Sequence, residues 1–317
     1  MILYHKDFGP FFKKYGVSNL IEDNRALKIY QKIKKTIPRK FIHQKINRTP
    51  ALKRNDLLLA HDKNYVTALL GTGYQPLLKN CFEVQNFFEK PSVVKKIIPH
   101  LLKHAGGTLK AMRLAIEEGL CFYLGGGMHH AMSFGGRGYC LVNDIVIGIR
   151  KLQREKKIKT VWVIDIDAHK GDGTAEITKN DPSIVTLSIH MKNAWPLDAG
   201  PHSPSHIPSK IDIGIKKGDE KNYLKKLQAA LKKLKEHYPK ADLAIVVAGS
   251  DPYIKDALPS SSDLKLSKKQ MLQRDQMVHD FLRQEKIPQC YVIGGGYGKY
   301  SAEIYEQFLI WAYHERY

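Results

Sequence analysis

The chain has 317 residues, 43% of them hydrophobic, enough to bury a large core as one α/β domain spanning 1–317. No apolar run reaches the roughly 18 residues of a membrane-spanning helix. Met1-Ile2-Leu3-Tyr4-His5-Lys6-Asp7 also lacks the layout of a signal peptide, so a cytoplasmic location is expected. A formal charge of +20 implies a lysine-rich, solvated surface, with acidic protein or nucleic-acid-associated partners as the functional alternative. No zinc-finger spacing or aromatic RNP pattern supports direct nucleic-acid binding.

Residues 1–60 read as a short strand-like start followed by lysine-rich helical stretches such as Asn24 to Thr36, punctuated by Pro38 and Pro50. Asp56 to Leu70 reads as a helix and Gly71 to Pro76 as a loop. Apolar residues at helical spacing fill 92–119, with Pro99 at a boundary and Gly119 as a cap. Four later segments share one design, an apolar strand ending in glycine and then polar side chains. Cys121 to Leu124 leads into Gly125-Gly126-Gly127-Met128-His129-His130. Val161 to Ile164 leads into Asp165, Asp167 and His169, then Gly171-Asp172-Gly173. Leu243 to Ala248 leads into Gly249-Ser250-Asp251, and Cys290 to Ile293 into Gly294-Gly295-Gly296-Tyr297. Ser183 to His190 is a further strand. Helices over Asp144 to Glu155, Glu220 to His237 and Ser267 to Glu285 separate most of them. The cysteines Cys81, Cys121, Cys140 and Cys290 have no CxxC spacing and read as reduced packing residues.

Strands alternating with helices predict a mostly parallel sheet with helices on both faces. Ligands bind such sheets at the carboxyl ends of the strands, where the polar residues fall. Alternate residues of an extended chain point the same way, so Asp165, Asp167 and His169 share a side. Asp167, His169 and Asp251 make a three-ligand set with the oxygen and imidazole donors that zinc takes, one position staying open for water. His129 and His130 supply imidazoles for general base work, with Asp165 and Asp172 left to orient them. Tyr297 can donate a hydrogen bond to an oxyanion. Together they read as metal-assisted amide hydrolysis.

GGGMHHA, GRGYC, DIDAHKGDGT, AGSD with a later Asp, and GGGY, in that order, resemble the zinc-dependent histone deacetylase family over roughly residues 56 to 310. HAGGTLKAMRLAIEEGL and the non-histidine after Asp-Ala-His look closest to its class IV branch. The resemblance implies the arginase/deacetylase fold, one Zn2+ held by Asp167, His169 and Asp251, and His130 as general base. It pairs His129 with Asp165 and His130 with Asp172, and makes Tyr297 the transition-state tyrosine. It further implies that the Gly138 carbonyl receives the substrate amide, with Tyr139 and Trp195 as channel walls. A structural K+ would lie on Asp165, Asp167, His169, Ser188 and Ile189. Two departures stand out: Lys170 replaces a common histidine, and Ala257-Leu258-Pro259-Ser260 replaces leucine then glycine. The expected substrates are acylated protein lysines. Acetylated polyamines are an alternative, and a non-catalytic binding protein is a third reading. A two-manganese ureohydrolase is disfavoured because Gly171 stands where its second metal needs an aspartate. The rim loops carry few acids (Asp198 and Asp256) against Arg137, Lys192 and Lys255, which favours a neutral acyl-lysine over a polycation.

Overall fold

β-Branched and aromatic runs form strands and the amphipathic stretches between them form helices. The computed structural model describes every residue except 6–10, 19, 44–50, 199, 201 and 317, so Pro50 lies outside the described residues. Among the described residues the strands are β1 (Ile2–Leu3), β2 (Ile42–His43), β3 (Leu120–Tyr123), β4 (Val161–Asp165), β5 (Ile184–Met191), β6 (Ile211–Ile215), β7 (Leu243–Val247) and β8 (Gln289–Val292). They make one sheet in the order β2-β1-β3-β8-β7-β4-β5-β6, and every pairing is parallel. The helices in chain order are α1 (Arg25–Ile33), α2 (Arg54–Leu57), α3 (Lys63–Leu70), α4 (Tyr74–Cys81), α5 (Pro91–Val94), α6 (Ile97–Glu118), α7 (Asp144–Arg154), α8 (Asp172–Thr178), α9 (Tyr223–His237), α10 (Lys268–Gln284) and α11 (Ser301–Arg316). None of them is long and apolar enough to cross a membrane.

The period of two along each strand divides the core between the faces. Val161 and Val163 pack with Tyr123, Ile245 and Val292 beneath α6 and α7. Trp162 and Ile164 pack with Val246 and Tyr291 beneath α1, α9, α10 and α11. The chain leaves β3 and enters the sheet again at β4, so β7 and β8 come to lie between them. The loops that follow β3, β4, β7 and β8 therefore open side by side at one end of the sheet, a topological switch point.

Local departures from the sequence reading have physical causes. Asp56 to Leu70 splits into α2 and α3 at a turn where His61 is buried. Gly71 to Pro76 is only partly loop. α4 starts at Tyr74, and Pro76 falls in its first turn, where a missing N–H costs nothing. Pro99 likewise sits in the first turn of α6, which Gly119 ends at φ 78. Strand β6 has no counterpart in the reading, because Asp212 and Gly214 interrupt its short apolar pattern.

Candidate active site

The acidic end of β4 and the loop after β7 meet in a buried cluster. One ligand atom each from Asp167, His169 and Asp251 lies within 4.8 Å of the others. His169 Nδ1 is 2.9 Å from Asp251 Oδ2 and 3.2 Å from Asp167 Oδ1. The Gly295 N–H donates to Asp167 Oδ2 at 2.8 Å, and the Ala168 N–H to Asp251 Oδ1 at 3.0 Å. Glycine is needed for this approach: a Cβ on Gly249 would stand 2.1 Å from Asp167 Oδ2, and one on Gly295 2.4 Å from Asp251 Oδ2. Burial and the neighbouring Asp167 push the Asp251 carboxyl up to about 7. Burial opposes charge on His169, yet the two carboxylates raise it to about 10. The cluster thus calls for positive charge, and its imidazole and carboxylate donors suit a zinc-type ion.

Beside it lie the two histidines, their ring centroids 3.9 Å apart. His129 Nδ1 is 2.6 Å from Asp165 Oδ2, and His130 Nδ1 is 2.8 Å from Asp172 Oδ1. Burial alone would depress both. For His129 the charges of Asp165 and Asp167 outweigh it and lift the ring to about 9. For His130 burial and the neighbouring His129 prevail over Asp172, and the ring falls to about 4. The surroundings thus favour charge on the first ring and disfavour it on the second. Their loop is braced from α7, whose first residue, Asp144, accepts from the Gly127 N–H at 3.1 Å and the Met128 N–H at 2.8 Å. His61 Nδ1 lies 2.9 Å from the Met132 carbonyl, and His61 Nε2 accepts the Asn143 N–H at 2.9 Å.

Tyr297 lines the same pocket as both histidines, Asp167 and His169. Asp256 is a loop organiser: it accepts the Tyr297 N–H at 2.7 Å and the Leu258 N–H at 2.9 Å. Burial and nearby carboxylates hold the Tyr297 phenol well above its ordinary pKa, so it stays a donor. Gly138 passes so close to Trp195 that a Cβ there would meet the indole at 2.4 Å. Trp195 stands edge-on to His130, 4.6 Å between centroids, and Tyr139 lines the pocket. Ser188 pairs in register with Asp165, its hydroxyl 3.1 Å from His190 Nδ1, while the Ile189 side chain joins the core.

Both departures from the family pattern have partners. Lys170 is buried and its Nζ lies 3.1 Å from Asp212 Oδ2. Ser260 brings its hydroxyl to 3.3 Å from His169 Nε2, the ring nitrogen facing away from the carboxylates. The rim differs from the expectation in two ways. Arg137 is turned inward, 3.2 Å from Asp172 Oδ2 and over the Trp195 ring, so it is not a free rim cation. Glu83 stands beside Gly138 and Tyr139, an acid that the sequence reading missed. Arg25 was missed too; its guanidinium donates to the carbonyls of Gly294, Gly295 and Gly296 at 3.0, 3.1 and 2.8 Å. Its signal is an arginine on the buried stripe Arg25, Ala26, Ile29, Ile33 of α1.

The parallel sheet, its switch-point cleft and this set of groups define the arginase/deacetylase class of α/β proteins. The chain matches the histone deacetylase domain model over residues 20–309 and belongs to that family, whose members are generally zinc-dependent amide hydrolases. It is 31% identical over 244 residues to an uncharacterised protein of Picosynechococcus sp., covering 77% of this chain and 75% of that one. It is also 31% identical over 249 residues to histone deacetylase 2 of Arabidopsis thaliana, covering 78% of this chain but 62% of the plant protein. The crystal structure of a histone deacetylase homologue from Aquifex aeolicus superposes with a TM-score of 0.73 at 23% identity, over 99% of this chain and 82% of that one.

Proposed function

We propose that the chain is a zinc-dependent deacylase, one catalytic domain over 1–317 and nearest the class IV branch, that removes acetyl or longer acyl groups from protein lysine Nε. The observation that carries this reading is the meeting of Asp167, His169 and Asp251 with two imidazoles, each bonded through Nδ1 to a buried carboxylate. Asp167, His169 and Asp251 would hold the zinc ion, which supplies Lewis-acid polarisation of the acyl carbonyl and a water of lowered pKa. His130 has Nδ1 committed to Asp172, so Nε2 is the atom that takes a proton from the attacking water. The Tyr297 hydroxyl donates to the carbonyl oxygen as charge develops there. As the amide C–N bond breaks, the proton returns to the leaving lysine amine, giving a carboxylate and a free side chain. The Gly138 carbonyl accepts the substrate amide N–H, and Tyr139 and Trp195 flank its methylene stem. A structural K+ on Asp165, Asp167, His169, Ser188 and Ile189 belongs to the same reading.

Glu83 favours a second substrate, because a carboxylate beside Gly138 and Tyr139 would attract the free amines of an acetylated polyamine. Purified protein assayed on acyl-lysine peptides and acetylated polyamines, with elemental analysis and a chelator control, tests both. Peptide hydrolysis that is lost with the metal supports the deacylase. Inertness of the zinc-loaded protein on every substrate would leave the non-catalytic reading.

A further inference from the structure

Helix α10 carries Met271, Arg274, Asp275, Val278 and Leu282 on its buried stripe, so an arginine and an aspartate sit among core residues. Arg274 has 0% exposure. Its Nη1 donates to the Ile166 carbonyl at 2.9 Å and to the Gly249 carbonyl at 2.8 Å. Ile166 immediately precedes Asp167, and Gly249 lies two residues before Asp251. One guanidinium nitrogen therefore joins the ends of β4 and β7 just where each delivers a carboxylate. Nε donates to Asp275 Oδ1 at 2.9 Å, and Nη2 lies 2.8 Å from the same oxygen. The hydroxyl of Tyr223, from α9, is enclosed with them. An arginine taken wholly out of water loses several kcal/mol of hydration, so its neighbours must hold it in one geometry. Carbonyls at these two positions have no other cation on them among the described residues.

We propose that Arg274 is a positioning residue for the metal centre, setting the separation of Asp167 and Asp251 through the Ile166 and Gly249 carbonyls, with Asp275 orienting the guanidinium. The role rests on the metal reading above, and groups behind ligands typically change metal affinity by about 10–100-fold. Two variants test it: Arg274→Lys, which keeps the charge but not the fork, and the double variant Arg274→Met with Asp275→Leu. The double variant removes the buried pair as a unit, which often leaves stability unchanged or raised. Zinc affinity is read by competition with a chelator of known strength, the visible spectrum of the cobalt-substituted protein reports ligand geometry, and the Tm of the metal-free form reports the fold. The expected result is a roughly 10–100-fold loss of zinc affinity and an altered cobalt spectrum in both variants, with the metal-free Tm of the double variant close to that of the parent. Zinc bound within threefold of the parent by Arg274→Lys and by the double variant would overturn the role. If the double variant does not fold, Arg274→Lys decides alone. A parent that takes up no zinc would overturn the metal reading and this role with it, whereas a zinc-binding parent with equally good variants overturns only the role of Arg274.

Discussion

Acid should loosen the loop that carries His129 and His130, and His61 determines much of the effect. Its ring is satisfied only as the neutral tautomer with the proton on Nδ1, since Nδ1 faces the Met132 carbonyl and Nε2 accepts the Asn143 N–H, both at 2.9 Å. Protonation would set Nε2–H against the Asn143 N–H. Burial is the leading cause that lowers its pKa from 6.5 to about 4, against smaller opposing effects of the Met132 and Ser133 backbone. A folded pKa below the unfolded one means that the stabilisation is complete above the unfolded value of 6.5 and is lost as pH falls through about 4. At about 1.4 kcal/mol per pH unit the loss is on the order of 3 kcal/mol, a large part of the roughly 5–15 kcal/mol of a typical domain. Urea unfolding at neutral pH, mildly acidic pH and near pH 4 would compare the parent with His61→Gln, which cannot titrate. The variant should be about 1–2 kcal/mol less stable at neutral pH, and the gap should shrink and reverse in acid. His130 and His190 are also depressed to about 4, but they titrate in both proteins and cancel in the difference. Stability curves that run parallel across this range would refute the reasoning.

Asp251→Ala should lose zinc and activity together, because two protein ligands are too few for a usual catalytic site; full metal occupancy by elemental analysis would overturn the assignment. Tyr297→Phe should lower kcat by about 100-fold or more with zinc content intact, and near-normal turnover would mean that the phenol has no part in the chemistry. Acyl-lysine peptides should show higher kcat/KM than acetylspermidine or acetylputrescine. Acidic flanking residues should help most, by a margin that narrows as salt rises. Glu83→Gln should widen the difference by removing a carboxylate that attracts cations, and steady-state kinetics showing a clear polyamine preference in the parent would sink this view.

The sheet and the candidate site were readable for the same reason. A fully buried parallel strand is an apolar run, and the polar residues that end it stand out against that background, as Asp165, Asp167 and His169 do after Val161 to Ile164. Short or interrupted strands have no such contrast, so β6, with Asp212 and Gly214 inside it, went unread. Arg25, Asp144 and Arg274 were missed because each belongs to a helix whose remaining buried residues are ordinary core. An arginine on a buried stripe is a detectable signal, but its partners are carbonyls on distant loops, from 25 to 271 positions away, and no local pattern names them. Glu83 and the inward turn of Arg137 depend on how loops close over the cleft, which charge counting along the chain does not reveal.

The buried polar groups that hold these loops share one structural task. A strand-end loop has surrendered its sheet hydrogen bonds, so its free N–H and carbonyl groups must be paired by something outside the sheet. Asp144 pairs the Gly127 and Met128 amides, Asp256 the Tyr297 amide, Arg25 the carbonyls of Gly294 to Gly296, and Arg274 those of Ile166 and Gly249. Each bond fixes a backbone position on, or within three residues of, a residue of the candidate site. Catalytic groups must be held to within about half an ångström, and glycine-rich loops cannot do that unaided. The glycines let backbone approach the carboxylates, and the buried polar side chains then remove the freedom that glycine brings. Substitutions at Arg25, Asp144 or Asp256 should therefore disturb the site itself before they disturb the sheet, whose strands remain paired without them.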